Sequence, residues 1–94
     1  MKQVTFDFSE IKTKKEFYKQ FKNKLELQED FGANLDALYD VLTGEIELPI
    51  ELIFEHVSLE KLEKFEAIFE TIEDAENELD EELSFRYFVG KAEL

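Results

Sequence analysis

Asp36 and Asp40 stand four residues apart in LDALYDVLTG, a spacing that on a helix sets two carboxylates side by side on one face. Like charges so placed cost a helix about 0.2–0.5 kcal/mol. Asp36, close to the helix start, is favoured by the helix dipole. Asp40 lies toward the other end, where a negative charge is disfavoured, and Asp is a weak helix former besides. Stability therefore accounts for Asp36 and leaves Asp40 unexplained. Three chemistries use such a pair: general acid and base catalysis, coordination of a hard cation through oxygen, and recognition of a cationic surface. A single 94-residue domain offers little depth for a substrate cleft, and the run from Asp74 to Glu82 lacks the Gly of an EF-hand turn, which weighs against the first two. Tyr39 adjoins Asp40, and an aromatic beside a carboxylate that can be desolvated is the composition of a binding hot spot.

The charge distribution points the same way. The chain has 24 acidic and 11 basic side chains, a formal net charge of -13, yet residues 1 to 24 are net basic. From residue 25 to residue 82 only Lys61 and Lys64 are basic, and none occurs between Lys24 and Lys61. Solvated faces usually mix both signs, so an acid-only stretch of this length suits a positively charged partner and argues against nucleic acid, whose phosphates need clustered Lys and Arg.

Other chemistries find little support. With no Cys there is no disulfide, thiolate metal site or cysteine nucleophile. His56 is the only histidine and reads as an ordinary core or surface residue. The pattern offers no Gly-rich phosphate loop, and neither a metal nor a cofactor is expected. No continuous apolar stretch marks a signal peptide or a membrane span, so a protein that meets no membrane and resides in the cytoplasm is expected, and the net charge of -13 favours a monomer when free.

The elements that must position these carboxylates follow from periodicity. Val4, Phe6 and Phe8 alternate as in a strand with one face on a core, and Thr13 with Glu16 forms a capping box opening a helix over 14–26 with Phe17, Phe21 and Leu25 inward. Residues 27–33 read as a loop containing Gly32. Asn34 reads as the N-cap of a short helix with Leu35, Leu38, Tyr39 and Leu42 on one face, closed by Thr43-Gly44. Pro49 precedes the apolar run 50–54, which suits a central strand buried on both faces. A single long helix is expected over 59–79, acidic enough to fray across 73–82, and a third alternating strand over 83–89. The order β-α-α-β-α-β in one domain over 1–94 predicts an α/β fold, a three-stranded parallel sheet covered by helices.

The segment from Phe31 to Pro49, FGANLDALYDVLTGEIELP, resembles the central motif of the barstar family in its succession of aromatic, Gly, x, Asn, Leu, Asp, Ala, Leu, aromatic, Asp, x, Leu, Thr, Gly. Order and length agree over nearly the whole chain. The resemblance implies a small cytoplasmic inhibitor, with an immunity or antitoxin role, that binds one to one to a basic ribonuclease of the extracellular or toxin type. An acidic helix and the adjoining loop would cover the enzyme's active site, and the protein itself would not be an enzyme. It also implies a contact set: Gly32, Asn34, Asp36, Tyr39, Asp40, Thr43, Gly44 and Glu47, with Asp74 and Glu78 from the long helix. Asp40 would stand where a substrate phosphate binds. Asp30 and Glu45 occupy positions that are often aromatic in the family, and Tyr39 stands in place of a Trp, so this surface gains steering charge and loses apolar packing. The alternative is an acidic module, or a nucleic-acid mimic, for some other basic protein.

Overall fold

The fold is known from a computed structural model that describes residues 1–90. Val4 and Phe6 alternate with polar neighbours in strand β1 (Lys2–Asp7), and Phe8 just past it joins them in the core. Helix α1 (Lys14–Lys24) starts at the expected capping box. The Thr13 hydroxyl accepts from the Glu16 N–H at 3.1 Å, while the Glu16 carboxylate accepts from the N–H groups of Lys12 at 2.8 Å and Thr13 at 3.1 Å. These bonds, the one from Lys12 foremost, hold the Glu16 pKa below its usual value. The helix ends near residue 24, two residues earlier than its apolar spacing suggests. The Leu27 N–H donates to the Lys22 carbonyl at 3.0 Å and the Glu26 N–H to that of Asn23 at 3.3 Å. This is a Schellman closure, with Glu26 at φ 54° in the position where Gly is usual.

Helix α2 (Leu35–Gly44) is capped by Asn34, whose side-chain oxygen accepts from the Ala37 N–H at 2.8 Å. Gly44 lies inside the helix and does not close it in a left-handed conformation. Glu45 is the C-cap and its N–H donates to the Val41 carbonyl at 3.0 Å. A cis Leu48-Pro49 bond leads into strand β2 (Ile50–Val57).

The long helix expected over 59–79 is two, α3 (Leu59–Lys64) and α4 (Glu66–Leu79), meeting at Phe65 with ψ 19°. Phe65 keeps helical spacing but is drawn into the core, 5.3 Å edge-on to Phe8. Lys61 and Lys64 tie α3 down by donating to the backbone carbonyls of Phe8 and Lys12. Across the acidic stretch 73–82, α4 runs to Leu79, a 3₁₀ turn follows over Asp80–Glu82, and strand β3 (Leu83–Val89) begins.

The sheet is parallel in the order β1-β2-β3, with β2 central. Its inner residues Phe6, Phe54 and Phe85 meet Phe17 and Phe21 of α1 and Phe69 of α4 in a chain of edge, tilted and stacked ring contacts. Phe54 lies 4.7 Å from Phe8 and 4.9 Å from Phe85, so truncating it to Ala would cost about 3–5 kcal/mol. The helices cover this one face. On the other, Thr5, Arg86 and Phe88 are exposed, and β2 is not apolar on both sides. Glu51 is buried there only because Gln3 donates to it at 2.7 Å and Arg86 lies 3.5 Å away.

Candidate functional site

Two features place α2 at the surface with its carboxylates outward. Leu38, Val41 and Leu42 are buried, and α2 packs along α4, so the remaining face is free. Asp36 and Asp40 are on that face, both exposed. Tyr39 is half-buried, its ring packed against the edge of the core. Thr43 is partly buried and its hydroxyl donates to the Tyr39 carbonyl at 2.8 Å, one turn back, so this polar group is engaged within the helix.

The preceding loop is held in place by Phe31, whose ring lies tilted 5.8 Å from that of Phe21 and 6.2 Å from that of Tyr18. The Phe31 N–H donates to the Gln28 carbonyl at 3.1 Å and the Asn34 N–H to that of Gly32 at 2.8 Å. A Cβ on Gly32 would meet the Asn34 side-chain nitrogen at 3.3 Å and the Ala37 Cβ at 3.6 Å. The loop thus closes onto the first turn of α2 most easily with glycine there, and any side chain would press on the cap.

Loop and helix enclose a hollow of about 310 Å³, with Leu27, Phe31, Ala37 and Val41 as its apolar walls and Asp30, Asp40 and Glu45 as its acidic ones. Of the expected contact residues, Gly32 and Asp40 line it. Asn34 serves as the cap, Asp36 sits in the first turn of α2, and Gly44 and Glu47 are exposed beyond Thr43. Asp74 and Glu78 are exposed on α4, the neighbouring helix, and are in no ion pair among the described residues. Asp30 and Glu45 were not in the expected contact set. Their signal in the sequence is a carboxylate at positions that are often aromatic in the family the sequence resembles.

The electrostatics divide sharply here. Among the described residues, none of Asp30, Asp36, Asp40, Glu45 and Glu47 is in an ion pair or accepts a side-chain hydrogen bond. The two lysines of the acidic segment, Lys61 and Lys64, are occupied on backbone carbonyls on α3's side. On the far side of Phe31 the sign reverses, where Lys15, Lys19 and Lys22 surround Tyr18 and Ala33.

Away from this face, Asp7 gathers the chain's only Ser-Asp-His grouping among the described residues. Its Oδ1 accepts from the Ser9 hydroxyl at 2.7 Å, the Ser9 N–H at 2.9 Å and His56 Nδ1 at 2.8 Å. Bonds from the Ser9 hydroxyl and from His56 lower the Asp7 pKa to about 2. The order is that of a clamp, not of a nucleophile. A catalytic base must bond the hydroxyl it activates, whereas Ser9 and His56 both donate to the same carboxylate. The clamp ties the ends of β1 and β2 together where His56 adopts φ 61° beside a register shift in β2. No group of three or more His, Asp or Glu side chains able to hold a metal ion occurs among the described residues. No helix of the described residues is long and apolar enough to cross a membrane.

Comparison with known proteins adds a family. A sequence-family model described as Barstar (barnase inhibitor) matches residues 1–90. A protein of Bacillus subtilis (strain 168) named "Putative ribonuclease inhibitor YrdF" is 28% identical over 85 residues, 87% of this chain and 93% of that protein.

Proposed function

Because the chain belongs to the barstar family, we propose that it inhibits a basic ribonuclease one to one, by seating α2 and the loop before it in the enzyme's active site. The observation that carries this reading is the state of the α2 carboxylates: Asp36 and Asp40 are exposed and without a counter-charge among the described residues, and Asp40 shares a hollow with the equally unpaired Asp30 and Glu45. A ribonuclease active site is built to hold phosphates with cationic side chains, so a rigid carboxylate can take a phosphate's place. Asp40 is the residue best set for this. It sits at the centre of the face, on a helix whose backbone is fixed at both ends, and it needs little ordering on binding. Asp36, one turn away, reaches neighbouring cations.

Charge pairs that lose all their water at the centre govern dissociation, whereas carboxylates at the rim, such as Asp74 and Glu78, mainly speed association. Inhibition is then steric exclusion of RNA, and the inhibitor performs no chemistry.

The test is competition. A short RNA fragment saturating the active site of barnase should displace this protein in proportion to its occupancy. If binding is indifferent to the fragment, the contact lies elsewhere, and the acidic face serves some other basic surface.

A further inference from the structure

The hollow between the loop and α2 has a neighbour. Leu27 and Glu45 wall both, and beyond them lies a second hollow of about 330 Å³ with Ile46 and the buried Ile50 beneath and the exposed Glu26 and Glu47 above, Lys2 also bordering it. We propose that this second hollow receives a lysine- or arginine-bearing loop of the same ribonuclease, so that the enzyme is held at a further point beside the α2 face. The inference rests on the inhibitor reading and extends its contact surface past the α2–β2 connection.

Three observations support that occupant. The two hollows are adjacent and share walls, so a body covering Asp40 also reaches over the second. Its chemistry is mixed, apolar beneath and carboxylate above. That suits a long basic side chain, which lays its methylene stem on apolar surface and directs its charged head to carboxylates. Bare metal ions are poorly matched, because no three ligating side chains converge among the described residues. The size also fits a side chain with part of its loop, and is too small for a helix.

Glu26 supplies the decisive variant. It holds φ 54° where glycine is the usual occupant, so the fold gains nothing from a side chain there. Binding of catalytically inactive barnase should be followed by surface plasmon resonance for wild type, Glu26→Gly, Glu26→Lys and Asp40→Ala, with the melting temperature of each. Glu26→Lys should raise Kd about tenfold or more through faster dissociation, an effect that persists at about 0.5 M salt. Glu26→Gly should raise Kd several-fold while the melting temperature holds or rises, which a merely structural role does not allow. If Asp40→Ala collapses binding while both Glu26 variants bind as wild type, or differ only in a salt-sensitive association rate, the second contact is refuted and the α2 reading stands. If wild type does not bind, or Asp40→Ala binds as wild type, both fall.

Discussion

Four carboxylates away from α2 and those around it are used in opposite ways. Asp7 accepts three hydrogen bonds, Glu16 closes the capping box, Glu51 is held between Gln3 and Arg86, and Glu76 accepts from the Phe85 N–H of edge strand β3 at 3.0 Å. Each satisfies a donor that the fold would otherwise leave open. Asp30, Asp36, Asp40, Glu45 and Glu47 hold nothing among the described residues, and they crowd one another on a chain of net charge -13. The first group stabilises the fold. The second is tolerated by it, and a group that the fold merely tolerates is best explained by what comes to meet it.

The largest effect that sharpens this contrast is at Asp40. Asp40→Ala should weaken ribonuclease binding more than a hundredfold, about 3 kcal/mol, because the enzyme's cations would be buried unpaired. The same substitution should leave the melting temperature unchanged or higher, since it removes a like-charge neighbour of Asp36 and a poor helix former. Glu51→Ala should show the mirror image. Loss of about 1–3 kcal/mol in chemical denaturation is expected as the Gln3 amide and Arg86 lose their partner, with affinity for the enzyme intact.

Acid titration separates the groups again. The Asp7 carboxyl titrates at about 2, below the ordinary carboxylate value of 3.8, so its bonds stabilise the fold fully above about pH 4 and are lost as pH falls through about 2. Asp7→Asn should therefore show a smaller fall in melting temperature between those two pH values than wild type, read by circular dichroism. The smallest effect is expected at the rim. Replacing Asp74 and Glu78 together by Ala should slow association a few-fold at low salt and not at high salt, in stopped-flow mixing.

Much of this architecture was legible in the residues. Alternation in 3–8 and 83–89 placed the outer strands, and the Thr13-Glu16 pair and Asn34 marked both helix starts where the structure has them. Asp40 stood out because it contradicts local helix preferences. What was not legible depends on distant partners. Phe65 keeps the helical period, so nothing local reveals that Phe8, far back in the chain, draws it inward and splits the helix. Glu51 reads as one polar residue in an apolar run until Gln3 and Arg86 arrive from the two flanking strands. The hollow likewise needs the tertiary fold to bring Asp30, before α2, next to Glu45, after it. Gly44 misled in the other direction: a glycine at a helix end suggested a left-handed closure, whereas the helix runs through it to Glu45.

The central claim is that the unpartnered carboxylates around α2, and not exposed acids in general, are the ones that bind. Cleavage of a fluorescent RNA by barnase, titrated with wild type, Asp40→Ala and Glu63→Ala, tests it most directly, with Glu63 an exposed acid on α3. Stoichiometric inhibition by wild type and by Glu63→Ala, lost in an Asp40→Ala protein that melts no lower than wild type, is the predicted result. Equal inhibition by all three proteins, or none by any, would contradict it.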